Sequence, residues 1–127
     1  MVDKLKTILA KIHESDREVA LFAMLKIDDI TDRWSIIFSE TGLDDSEKRK
    51  QEFVYLANLL ISNLDEKEIE TIARVSVRPL SDHLVESLLK YKTGYKFDES
   101  TPVNGNTVHE GYVLESAEIP PQTAKDL

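Results

Sequence analysis

Cysteine is absent from the chain, so disulfides, thiolate metal sites and a cysteine nucleophile are excluded. That absence also fits a reducing compartment. No apolar run approaches the roughly 20 residues needed to span a bilayer. The first residues, "MVDKLKTILAKIHESD", scatter charges where a signal peptide needs an unbroken apolar stretch and a small-residue cleavage site. The expectation is a cytoplasmic protein with no membrane partner. Glycine is scarce: four residues, none in a Gly-x-Gly-x-x-Gly or Walker pattern, so a standard nucleotide fold has no support. Basic charge is also in deficit. With 16 Lys and Arg against 24 Asp and Glu, the net charge of −8 repels a phosphate backbone at long range. The one basic run, "EKRKQ" (47–51), points Lys48, Arg49 and Lys50 in three directions at helical spacing. Nucleic acid is therefore not the expected partner.

What remains is a chain of 127 residues, the size of one domain with a core of its own. Leu5, Ile8, Leu9 and Ile12 recur at helical spacing over 3–14. "EVALFAMLKI" (18–27) is apolar on both alternating faces, as in a central strand; a helix is the rival reading, since Ala, Leu and Met are good helix formers, and the strand-like run that follows favours the strand. "DDITD" (28–32) is turn chemistry, and "RWSIIFSE" (33–40) is aromatic and β-branched, with Trp34, Ile36 and Phe38 on one face. The pair reads as an antiparallel hairpin. Asp45 or Ser46 caps a long helix over about 46–63, whose stripe is Phe53, Leu56, Leu60 and Leu64, broadened by Val54, Ala57 and Ile61. Leu56 and Leu60 are expected to be buried against a sheet. Asp65 and Glu68 have capping-box spacing, which predicts a short extra turn. "TIARVSV" (71–77) is a third strand that Pro79 must end, and Ser81 is placed to cap a further helix running to about Tyr91. Asn104-Gly105 signals a hairpin turn, and "GYVLESAEIP" (111–120) is the last strand. The order α-β-β-α-β-α-β implies an α+β domain over 1–120. Its sheet has four or five strands, mostly antiparallel, with helices on one face, and 121–127 form a frayed tail.

The hairpin, with Asp32, Arg33, Trp34, Ile36 and Ile37 in an Asp-(Lys/Arg)-Trp step before an aliphatic strand, resembles one in small uncharacterised prokaryotic α+β proteins. "GYVLESAEI" is similar to their last strand. The chain departs from them after Ser39, where Glu40-Thr41-Gly42 replaces a small-Pro-aromatic step. The resemblance implies the element order and no activity.

Motifs with chemistry are few. "RPLSDH" (78–83) puts Arg78, Ser81 and His83 beside an expected helix N-terminus, where unpaired N–H groups and the helix dipole favour an anion. The competing reading gives Ser81 a capping role, Asp82 the dipole and Pro79 the strand exit. Ser81, Asp82 and His83 are neighbours in one turn and cannot form a relay with each other, and no Gly-x-Ser-x-Gly elbow exists. His109-Glu110 lacks the second histidine of a zinc helix, with Val113 in its place, and "DDITD" lacks the glycine and glutamate of a calcium loop. No metal or other cofactor is implied. Trp34 would be an interaction surface if its strand lay at a sheet edge, where unpaired backbone groups can pair with another chain; the competing and preferred reading makes it ordinary core, because large aromatics bury most of their surface. The sequence reads as a non-catalytic protein that works by contact with a protein partner or a second copy. The alternative is a small-ligand or anion-binding protein, or an enzyme, using 78–83.

Overall fold

A computed structural model of the chain describes residues 1–30 and 32–117. Its elements run α1 (Val2–His13), β1 (Val19–Ile27), β2 (Trp34–Glu40), α2 (Ser46–Asn63), α3 (Glu66–Glu70), β3 (Ile72–Val77), α4 (His83–Leu88), β4 (Lys96–Phe97), β5 (Thr101–Val103) and β6 (Asn106–Ser116). The fold is α+β. A mixed sheet is ordered β3-β2-β1-β6-β4, with β5 paired to β6, so it has one or two strands more than the sequence pattern implies.

β1 and β2 form the expected antiparallel hairpin, with Phe22 opposite Phe38 and Met24 opposite Ile36. β1 is fully flanked, since β6 pairs along its other side. That position explains its apolar residues on both faces: every residue along it but Lys26 is buried. Phe22 and Met24 join Leu5, Ile8 and Ile12 of α1, Leu56 and Leu60 of α2, and Ile36 and Phe38 in one core. Leu21, Ala23, Leu25 and Ile27 point the other way, into a second core with Leu84, Val85 and Leu88 of α4. The helices therefore do not all share one face: α1, α2 and α3 lie on one side and α4 on the other.

β2 and β3 are parallel, with Ile36 beside Val75 and Phe38 beside Val77. Parallel neighbours need a long crossover, which α2 and α3 supply. Asp45 caps α2 by accepting from Glu47 N–H, and Asp65 and Glu68 form the capping box of α3. Asn104 (φ +49°) and Gly105 (φ +78°) both hold left-handed backbone in the two-residue turn between β5 and β6. β6 thus begins at Asn106, earlier than the composition suggests. The expected end of the last strand at 118–120 and the tail at 121–127 lie outside the described residues. Gly111 lies where β6 presses on β1: a Cβ there would stand 2.6 Å from Leu25 Cδ2 and 2.9 Å from Met24 O, so only glycine fits.

Candidate interaction surface

β2 lies between β1 and β3, so the strand at the open edge of the sheet is β3. Among the described residues no strand pairs with its outer side. Arg78 N–H donates to Phe38 O, one step beyond the β2–β3 ladder. Successive peptide groups in a regular strand point to opposite sides, so those of Arg74, Ser76 and Arg78 face β2 and those of Val75 and Val77 face outward, while the register shifts at Ala73, between Ile72 and Arg74. Natural edges are blunted by proline, bulges or charge. Here the register irregularity at Ala73 and the exposed Arg74 blunt the start of the strand, while Val75 and Val77 leave the rest of the edge apolar up to Pro79.

Above this edge lies α2. Glu52, Leu56, Leu60 and Leu64 recur every four residues and are buried. Phe53, Val54, Ala57 and Ile61 lie further round the helix, on the flank above β3. The expected apolar stripe is therefore split. Leu56, Leu60 and Leu64 are core, whereas Phe53, Val54 and Ile61 are 42%, 56% and 64% exposed. Three of the four large apolar side chains exposed among the described residues sit on this one flank. Below them runs a groove of about 230 Å³ lined mainly by apolar residues, Ala57, Leu60, Ile61, Ile72 and Val75 among them, and bordered by the charged Arg74. Strand edge, groove and helix flank form one continuous surface.

The residues singled out from the sequence lie elsewhere. Trp34 is on an interior strand, so the edge role made conditional on β2 does not hold. Its half-buried ring takes Lys26 Nζ at 4.6 Å and sits 6.2 Å from the Tyr112 ring. At the 78–83 junction the cap is Asp82, not Ser81: its Oδ2 accepts from Val85 N–H. Arg78 Nη1 turns onto the same carboxylate at 3.1 and 3.3 Å. Ser81 is exposed, and His83 points outward, 3.4 Å from Glu86. The junction thus brings Arg78 and Asp82 together and leaves Ser81 and His83 outside that contact. Asp82→Ala should cost about 1–2 kcal/mol in urea unfolding, because α4 is short and seats Leu84, Val85 and Leu88 in the core. Ser81→Ala should stay within about 0.5 kcal/mol. Equal effects from the two would mean that the hydroxyl shares the capping.

Sequence reasoning missed a buried cluster of ionised groups. Glu40, on the α2-facing side of β2, and Glu52, at the head of the buried row of α2, are each only 3% exposed. Arg17 Nε reaches Glu52 Oε2 at 2.6 Å, its guanidinium stacks 3.6 Å from the Tyr55 ring centre, and Lys48 Nζ lies 3.5 Å from Glu52. Burial and the neighbouring Glu52 carboxylate push Glu40 up to about 7. Arg17 holds Glu52 below the ordinary carboxylate range despite its burial. Glu40 therefore keeps its proton well above the ordinary carboxylate range. The available signal was Glu52 itself, an acid four residues before Leu56 on the core row. His109 accepts or donates between Ser100 Oγ (3.2 Å) and Asp28 O (3.0 Å), and His13 pairs with Glu115. Among the described residues no cluster of three or more His, Asp or Glu is placed to hold a metal. No helix there is long and apolar enough to cross a membrane.

Comparison with protein-family models, with curated proteins and with solved structures finds no match to this chain.

Proposed function

We propose that this chain works by protein–protein contact, without catalysis, and that its docking surface is the β3 edge with the overhanging flank of α2. The observation that carries this reading is the gathering of Phe53, Val54 and Ile61 beside an outward row of unpaired peptide groups. Apolar groups gathered this way mark interaction surfaces more often than scattered ones. A strand edge supplies main-chain hydrogen bonds to an extended segment, while a neighbouring groove sorts its side chains. The anion reading of 78–83 asks Arg78 to leave Asp82, and that exchange gives the docking reading the stronger support.

The test is site-specific photocross-linking in cells. A photoreactive residue at Ile61 should give a discrete adduct, while the same residue at Lys90, exposed after α4, should give none. Equal labelling at both positions, or none at either, would overturn the docking reading.

A further inference from the structure

The surface is self-complementary under a two-fold rotation, and we infer that its occupant is a second copy of this chain. This inference rests on the docking reading above. Val75 and Val77 present outward peptide groups, so an antiparallel partner strand must pair with them. A two-fold axis at Val75 satisfies it: Val75 pairs with Val75 of the second copy, and Val77 lies across from the irregular step at Ala73 in both directions. The small side chain then faces the larger one at each end. Arg74, which borders the groove, falls across from Ser76 rather than from a second Arg74.

The helix flank obeys the same symmetry. A crossover between parallel strands runs α2 antiparallel to β3, and Ala57 lines the groove with Val75, close to the axis. Reversal about Ala57 sets Ile61 of one copy against Phe53 of the other and brings Lys50 level with residues 64–66. Charge matches at that point. Lys4 of α1 holds Glu68 at 2.6 Å, which turns that side of α3 inward. Glu66 and Glu70 lie about half a turn round from it, are exposed, and have no ion-pair partner among the described residues. Lys50, 75% exposed and only loosely paired to Glu47 at 3.7 Å, is free to meet them. Each end of the contact then carries one basic and one acidic group, and both ends are made twice.

The size of the face sets the strength. Six residues of strand span about 20 Å, and one sheet layer under one helix is about 20 Å tall, so roughly 400 Å² per copy is covered. That is below the area of a standard interface and fits a reversible dimer. The net charge of −8 on each copy opposes association and is screened at 0.15 M salt.

Sedimentation equilibrium of the purified full chain, from about 10 µM to 1 mM in 0.15 M salt, tests the inference. Wild type should shift from monomer to dimer within that range. Val75→Pro removes an outward N–H and no bond to β2, and should leave the chain monomeric. Lys50→Glu and Glu66→Lys should each weaken the dimer about three- to tenfold, since two equivalent contacts are lost, and the double variant should restore it. A chain that stays monomeric to 1 mM, or that associates without responding to these substitutions, overturns the second-copy inference. If it is monomeric and residue 61 still cross-links a different protein, the docking reading stands and only the identity of the occupant falls. If there is no cross-link at all, both fall.

Discussion

Phe22→Ala should lower the unfolding free energy by about 4 kcal/mol, which removes a large part of the stability of a chain this size. The ring is fully buried on the central strand and meets Phe38 edge to face, with centroids 6.0 Å apart. Its loss takes away both the burial of a large aromatic and one half of an aromatic pair. The cavity has little means of closing: the side chain belongs to the core that α1, α2 and the neighbouring strands share, and β1 is held by ladders on both sides. Urea unfolding should show the change as a lower midpoint at unchanged slope. Phe53→Ala, on the exposed flank of α2, is the internal contrast and should cost less than about 1 kcal/mol. A small effect at Phe22 would mean that the ring does not fill the space between sheet and helices.

Arg17→Met should cost about 3 kcal/mol at pH 8, in the range for removing one partner of a buried ion pair. Glu52 would keep only Lys48, at 3.5 Å, as a cation, while Glu40 beside it would also be pressed to ionise. The wild-type pH profile follows from the same cluster. Glu40 titrates near 7 in the folded chain and in the ordinary carboxylate range when unfolded, so between about pH 5 and 7 the folded state holds the extra proton. Stability therefore falls as pH rises through that window, by up to about 3 kcal/mol. Glu52 is shifted the other way, and its contribution is lost as pH falls below the ordinary carboxylate range. Maximal stability is expected near pH 5. Glu40→Gln should keep the hydrogen bond to Glu52, flatten the slope between pH 5 and 8, and leave the acid limb in place. Arg17→Met should steepen the slope, because acid neutralises the carboxylates that arginine no longer balances. Thermal melts from pH 4 to 8 measure all three. A wild-type profile flat from pH 5 to 8 would mean that Glu40 is ionised throughout.

Local chemistry wrote the element boundaries. Asp45 and the Asp65–Glu68 box start their helices where the sequence places them, because a cap depends on residues one turn apart. The hairpin of β1 and β2 was legible for the same reason, since two strand-like runs flanked a polar turn. Apolar alternation on both faces of β1 also announced a central strand. The order of strands was not legible. That β3 lies beside β2 and leaves it interior depends on where the α2–α3 crossover lands, and no local pattern encodes that. The edge role therefore passes from Trp34 to Val75 and Val77 of β3. The helical period shows which residues of α2 are apolar, but only the position of α2 at the end of the sheet decides which of them meet core. Leu56 and Leu60 face the sheet, while Phe53, Val54 and Ile61 overhang its open side. The Glu40–Glu52–Arg17 cluster is likewise a product of packing. It joins residues from a pre-strand loop, a strand end and a helix whose charges, read along the chain, look like ordinary surface. Burial changes their chemistry, and burial is a property of the assembled layers rather than of the chain order.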